Sequence, residues 1–206
     1  MRKSFFRHLH PQRLSSRRAS FFNTFCLGGA ALFFFVVLTF TGILLMFVFP
    51  PLPDQAANSI TDLDSVVPFG SLFRSLHYWS GQAMLLCVLL HMTRVCVTGS
   101  YQPPRQLNWL VGLGLLCLTV GLDFSGYVLR WDLQGRLAAV VGVNLVREIP
   151  LVGDAFANGL LGGDPAQPQG FLHWYVWHCI VLPQGVAILS LYHFWKIRKD
   201  GQIAPM

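Results

Sequence analysis

Residues 74–94 read RSLHYWSGQAMLLCVLLHMTR. Arg74 and Arg94 bracket nineteen residues that contain no acid, lysine or arginine, and within that apolar run stand two histidines, His77 and His91. An α-helix turns about 100° and rises about 1.5 Å per residue, so the fourteen steps from His77 bring His91 back to within about 40° and roughly 21 Å further along. A second pair, His178 and His193, lies fifteen residues apart in another uncharged run. That spacing predicts an offset of about 60° and a rise of roughly 22 Å. Two helices, each with two histidines on one face at matched separation, can clamp two flat cofactors one above the other. The chemistry this suits is two haems, each iron held by one imidazole from each helix. A single histidine in an apolar segment is most often a packing residue. Four in matched pairs are different, because ionisable groups inside a membrane span are costly and mark function.

The composition places these runs in a bilayer. Of 206 residues, 53% are apolar and only 12% charged, about half the charged fraction of a soluble domain. The charges are segregated: Ala19–Pro53, Ser75–Thr93, Gln106–Leu122 and Pro165–Trp195 carry none. Spans of about 17 to 25 apolar residues cross a membrane, which predicts four helices, at about 21–49, 72–97, 107–128 and 170–195. The expected fold is an all-α integral membrane protein, a four-helix bundle holding two stacked b haems. Residues 133–161, broken by Pro150 and Gly153, are expected to form one or two short interfacial helices between the third and fourth spans.

The net charge of +6 could suggest nucleic acid, but its distribution does not. The N-terminal segment 1–20 is basic, and the loop after the first span holds Asp54, Asp62 and Asp64. Arg105 lies in the next loop, and five acids with three arginines follow Leu122 before the fourth span. The chain closes on Lys196, Arg198, Lys199 and Asp200. This alternation is the positive-inside pattern for four spans, with both termini on the cytoplasmic side. Residues 1–20 are expected to lie on the membrane surface, and 21–206 to form one transmembrane domain. The apolar run after the basic start is too long for a cleaved signal peptide and reads as a retained anchor. The five cysteines, Cys26, Cys87, Cys96, Cys117 and Cys179, sit in or beside apolar spans. No disulfide is expected among them, and no C-x-x-C-H haem attachment motif occurs.

Four glycines repeat the histidine spacing. Gly28 and Gly42 are fourteen residues apart in the first span, and Gly112 and Gly126 fourteen apart in the third. Each pair suits either ordinary helix packing through small residues or the close approach of something flat to the backbone. Arg74 precedes His77 by three residues and Arg94 follows His91 by three, so each shares a helix face with its histidine. They could pair with haem propionates or snorkel at helix ends. His173, about 140° round the helix from His178, cannot face the same haem and belongs near the interface with Trp174, Tyr175 and Trp177.

These strings resemble a known family. RSLHYWSGQAMLLCVLLHMTRVCVTG, the PPRQLNW after it, DFSGYVLRWD, IPLVGDAF and LPQGVAILSLYHFWKIRKDG look like cytochrome b6, the four-helix subunit of cytochrome b6f complexes, equivalent to the N-terminal half of cytochrome b. The resemblance runs from about Asn23 to about Pro205, and the fifteen-residue spacing in the fourth span matches the b6 type. It implies that His77 and His178 ligate an outer haem and His91 and His193 an inner one. It implies that Arg74 and Arg94 meet propionates, and that Gly28, Gly42, Gly112 and Gly126 pack against haem. Cys26, in NTFCLGG, would bind a third haem through one thioether, with Arg198 nearby. Three positions depart from the family pattern: Arg130 stands where a proline is common, Tyr78 where an arginine follows the first ligand, and His173 where an arginine precedes the fourth-span ligand.

The implied activity is that of an electron-transfer subunit in a quinol:cytochrome c (or plastocyanin-like acceptor) oxidoreductase. Quinol is oxidised at the outer face, quinone reduced at the inner face, and protons are translocated. No catalytic residue is assigned. The chain lacks the P-E-W-Y segment that completes the outer quinol pocket, so a C-terminal cytochrome b or subunit IV-like membrane partner is expected. A Rieske-type iron–sulfur protein and a c-type cytochrome are expected beside it, in a dimeric complex in the bacterial cytoplasmic membrane or its thylakoid equivalent. The alternative is a di-haem b anchor for a respiratory dehydrogenase or hydrogenase, against which the histidine spacings and Cys26 count. A third reading is a haem-free transporter or scaffold whose histidines line a proton path.

Overall fold

The computed structural model describes residues 25–200. The basic tail expected on the membrane surface, the first residues of the first span and the chain after 200 lie outside them. Among the described residues every regular element is helical. Helix α1 (Leu27–Met46) is twenty uncharged residues, enough to cross a bilayer. Pro50, Pro51 and Pro53 stop its continuation by removing backbone donors. The acidic stretch beyond, read from sequence as a loop, forms a helix, α2 (Ala56–Ser65), with Ala56 and Leu63 buried. Those two positions are seven apart, two helical turns, and give the segment an inward stripe that the run of aspartates obscures. Gly70 opens α3 (Gly70–Val97) against α2. A Cβ at Gly70 would sit 2.0 Å from the Leu63 carbonyl oxygen, so only glycine fits that contact.

A turn carrying Pro103 and Pro104 leads into α4 (Gln106–Leu129). Asp123 lies inside this helix, not among the loop acids with which its position in the charge pattern groups it. Two interfacial helices follow, α5 (Leu133–Arg147) and α6 (Gly153–Gly159). Asp132 caps α5, its carboxylate accepting the Gly135 N–H at 2.8 Å. The fourth span is compound: α7 (Pro168–Val176), one π turn (Trp177–Val181) and α8 (Leu182–Asp200). The π turn lies immediately before Pro183, which has no N–H to give the Cys179 carbonyl and whose ring crowds it. The helix opens there, and the Leu182 N–H reaches back to the Trp177 carbonyl, five residues rather than four.

Among the described residues four helices are long and apolar enough to cross a membrane: Leu27–Met46, Gly70–Val97, Gln106–Leu129 and Pro168–Lys199. Hydroxyls within them turn back on the helix: Thr39, Thr41, Thr93, Thr119 and Ser125 each donate to the carbonyl four residues earlier, which spares them a solvent partner. The buried apolar cluster is not central. It gathers where Val128, Leu129 and Trp131 meet Ala139 and Val143 of α5 and Phe171 and Trp174 of α7. That end of the bundle, with α2, α5 and α6, is the upper end below; the end with Cys26 and the C-terminus of α8 is the lower. Along the bundle α3 packs on α1 and α4, and α8 packs on α4, but α3 and α8 make scant direct contact. A gap between two spans is left for something other than side-chain interdigitation to fill.

Candidate functional site

The four histidines of the two sequence pairs face one another across that gap. His77 and His91 come from α3, His178 from the π turn and His193 from α8. Because both spans run in the same direction, His77 meets His178 at the upper level. Their ring centroids are 6.2 Å apart and the planes 71° from parallel. A metal joined to two imidazoles by bonds of about 2 Å holds the ring centres about 6 Å apart, so the upper pair has the separation of a bridged pair. At the lower level His91 and His193 lie within electrostatic reach of each other.

Two hydroxyls that sequence reasoning missed orient the upper pair. Thr41 Oγ1 donates to the Val37 carbonyl at 2.8 Å and lies 2.9 Å from His77 Nδ1. Ser125 Oγ donates to the Gly121 carbonyl at 2.7 Å and lies 3.0 Å from His178 Nδ1. A hydroxyl has one proton, and in both cases a backbone carbonyl takes it. With the hydroxyl proton on the carbonyl, each imidazole donates from Nδ1, which leaves the Nε2 lone pair unprotonated and available to a metal. This is the outer hydrogen bond that fixes tautomer and ring angle in histidine metal ligands. The signal was in the sequence: Thr41 precedes Gly42 and Ser125 precedes Gly126, whereas Leu27 and Val111 precede the other two glycines.

What approaches the glycines closely is the imidazoles themselves. A Cβ on Gly42 would come to 3.2 Å from His77 Cε1, and one on Gly126 to 2.8 Å from His178 Cε1. Gly28 and Gly112 face His91 and His193, each with a would-be Cβ 3.6 Å from Cε1. The unequal histidine spacings are reconciled here. Gly112 and Gly126 are fourteen apart, yet they register with histidines fifteen apart, because the π turn absorbs one residue. By absorbing one residue the π turn converts the 60° offset that regular geometry predicts for His178 and His193 into about 40° in the other sense, the same as for His77 and His91.

The lower level keeps polar atoms in reserve. Arg94 Nε and Nη1, Asn108 Oδ1, Trp109 Nε1 and His193 Nδ1 are buried without a hydrogen-bond partner of good geometry, although the Asn108 backbone faces His193. Buried polar groups are nearly always paired, so a cluster of orphans marks a place where a further group belongs. A guanidinium and an indole N–H so placed suit a carboxylate. Arg74, at the upper level, already holds one: its Nε and Nη2 donate to the two Asp64 oxygens at 2.7 and 2.6 Å. Among the described residues no three His, Cys, Asp or Glu converge, so a metal between either pair must bring its remaining ligands with it. A porphyrin with two propionates meets that description, and the residues present fit a haem.

The remaining sequence candidates lie at the two ends. Cys26 is exposed at the start of α1, in left-handed backbone at φ 48°. Arg198 is exposed in the last turn of α8. At the upper end Arg130 pairs with Asp132 and its guanidinium carbon lies 5.1 Å from the centre of the Tyr127 ring. His173 Nδ1 lies 2.8 Å from the Gln169 carbonyl oxygen, to which it donates, and Tyr78 is exposed on α3.

A family profile described as Cytochrome b/b6/petB matches residues 14–201. The chain is 40% identical over 182 residues to cytochrome b6 of Heliomicrobium gestii, covering 88% of this chain and 85% of the relative. It is 37% identical over 182 residues to cytochrome b6 of Prochlorococcus marinus (strain MIT 9515), covering 88% and 84%. The solved structure of a hyperthermophilic respiratory Complex III contains a similar chain, with a TM-score of 0.77 and 22% identity over 93% of this chain. This chain spans 49% of that one, about half its length, and at that identity the likeness is one of fold. Profile, relatives and helical architecture agree: the chain belongs to the cytochrome b/b6 family.

Proposed function

We propose that the chain is the transmembrane electron-transfer subunit of a quinol-oxidising bc- or b6f-type complex, with two b haems each held by two imidazoles. His77 and His178 would hold the upper haem, His91 and His193 the lower. Thr41 and Ser125 orient the upper imidazoles, Arg94 meets a propionate of the lower haem, and Arg74 is poised for one at the upper. The observation that carries the reading is the 6.2 Å separation of the His77 and His178 rings with both Nδ1 atoms committed to hydroxyls. Bound in this way each haem supplies one-electron storage at an iron with no open position, which suits electron transfer between the two faces rather than oxygen chemistry.

On this reading the upper end is the outer face, where quinol is oxidised, and the lower end is the inner face, where quinone is reduced. Both termini lie inside, with residues 1–20 on the membrane surface and 21–206 as one domain. Protons released outside and taken up inside build a gradient. Cys26 carries a third haem through one thioether, with Arg198 beside it. A C-terminal cytochrome b or subunit IV-like protein, a Rieske-type iron–sulfur protein and a c-type cytochrome complete a dimeric complex. The test is spectroscopic. The purified protein should contain two non-covalent b haems per chain and retain one covalent haem after denaturation. His91→Ala should remove one b haem and leave the other. A preparation without a b-type α band sinks the reading.

A further inference from the structure

Gln82 and Asp123, both half-buried, make a polar contact between two spans that haem binding does not use. Gln82 Nε2 donates to Asp123 Oδ1 at 2.7 Å, tying α3 to α4. Gln82 lies five residues beyond His77 and nine before His91, about 7.5 and 13.5 Å of helix rise. Asp123 lies three residues, about 4.5 Å of rise, on the lower side of Gly126, the glycine that faces His178. The pair therefore sits between the two histidine levels, nearer the upper. A carboxyl group at that depth is costly and marks a functional position. One amide cannot replace the hydration of a carboxylate. It can, however, serve either protonation state: its NH₂ donates to a carboxylate, and its carbonyl accepts from a carboxyl O–H.

Few other groups titrate nearby. On α3 His77, Tyr78 and Cys87 lie within five residues of Gln82, on α4 Cys117 lies six residues from Asp123 toward the lower end, and the π turn brings His178 and Cys179. Helix α1 carries none. On α4 Tyr127 is engaged with Gln134, and on α5 Arg136 is held by the Trp131 carbonyl at the upper end. The charge that changes beside Asp123 is then that of the upper site itself. Resting on the two-haem reading, we propose that Asp123 is a redox-linked proton site. Its carboxylate offsets the positive charge of the oxidised upper haem. When one electron from quinol enters that site, the offset is lost, and Asp123 takes one proton from the aqueous phase of the upper face. An O–H bond forms on the carboxylate, the iron is reduced by one electron, and nothing else is made or broken. Gln82 holds the carboxyl in place and follows its change by turning its amide.

The test uses the assembled complex in wild-type, Asp123→Asn, Asp123→Glu and Gln82→Leu forms. In the wild type the upper haem's midpoint potential should fall as pH rises, and reduction should add a protonated-carboxyl C=O band to the infrared difference spectrum. Asp123→Asn should lose both the band and the pH dependence, with the potential fixed near its acid-side value. Asp123→Glu should restore both, and Gln82→Leu should shift the band's frequency. A normal b-type spectrum with the same pH dependence in wild type and Asp123→Asn overturns the proposal and leaves the haem reading standing. A wild type showing no carboxyl band on reduction overturns it even if no variant assembles. A wild type without a b-type spectrum overturns the haem reading and this proposal with it.

Discussion

At the upper level each imidazole is anchored by protein alone: His77 by Thr41, His178 by Ser125, with Gly42 and Gly126 so close to the rings that an added Cβ would come to 3.2 and 2.8 Å of them. At the lower level a Cβ added to either glycine would stand off at 3.6 Å, and buried atoms of Arg94, Asn108, Trp109 and His193 lack a hydrogen-bond partner of good geometry, against Trp174 Nε1 at the upper end. The same unit, a glycine behind a histidine on a neighbouring helix, is used four times and finished in two ways. The upper site is preorganised by hydrogen bonds the chain makes to itself. The lower site is completed by what it binds. The buried apolar cluster lies at the upper end too, so rigidity and preorganisation coincide there.

The largest effect should come from breaking the tightest contact. In Gly126→Val the first added carbon meets His178 Cε1 at 2.8 Å, and the ring is tethered at Nδ1 to the neighbouring Ser125. Overpacking of this kind costs about 1–3 kcal/mol or more, and the ring cannot yield without leaving the metal position. Redox titration of the α band should show the upper haem lost and the lower retained. Gly28→Ala and Gly112→Ala place a carbon at ordinary contact distance, and both haems should survive. Equal losses at all four glycines would erase the contrast between the levels.

Next in size is the lower arginine. Arg94 is 8% exposed, with two nitrogens unpaired, and a charge-assisted hydrogen bond to a bound carboxylate contributes about 1.5–3 kcal/mol. Arg94→Met should weaken retention of the lower haem by roughly 10- to 150-fold, measured as haem per chain during detergent washing. Arg94→Lys should recover part of it. Arg74→Met should matter less, because Arg74 is partly exposed and already paired with Asp64, and such pairs contribute about 0–1 kcal/mol. Thr41→Val and Ser125→Ala come third. Each removes one hydrogen bond worth about 1 kcal/mol, so upper-haem affinity should drop roughly fivefold, with the lower haem unchanged.

Much of this was legible in the chain. Charge-free runs located the four spans to within a few residues at most ends, since a bilayer tolerates little else. The histidine and glycine spacings showed which residues share a level. Three things were hidden. Thr41 and Ser125 looked like ordinary polar residues in apolar helices, because their role depends on a ring from another span. The π turn has no composition signature beyond Pro183, so regular geometry put His178 and His193 about 60° apart. Helix α2 was masked by its aspartates, since only Ala56 and Leu63 among its residues are buried.

The smallest effect tests whether the upper end owes its firmness to local closure. Asp132 joins α4 to α5 by accepting the Gly135 N–H and pairing with Arg130. Burial pushes its carboxyl upward, but the Gly135 N–H, the Arg130 guanidinium and the Gln134 N–H together hold it below its ordinary value of 3.8. A carboxyl with a depressed folded-state value gives stability that is fully present above its unfolded value and lost as pH falls through the folded one. The cap on α5 should therefore stay at full strength from mildly acidic to alkaline pH and fade only below about pH 4. Asp132→Ala should cost about 1 kcal/mol, and Asp132→Asn, which keeps the cap oxygen, should cost less and show no acid transition. Amide hydrogen exchange across α5 would read both. If removing the cap speeds exchange in α5 without loosening Trp131 or the His77–His178 level, the upper site is held by its own hydroxyls and glycines. If the upper level loosens with it, the preorganisation extends through Asp132 into the interfacial helices, and the contrast with the lower level is one of whole ends rather than of two hydrogen bonds.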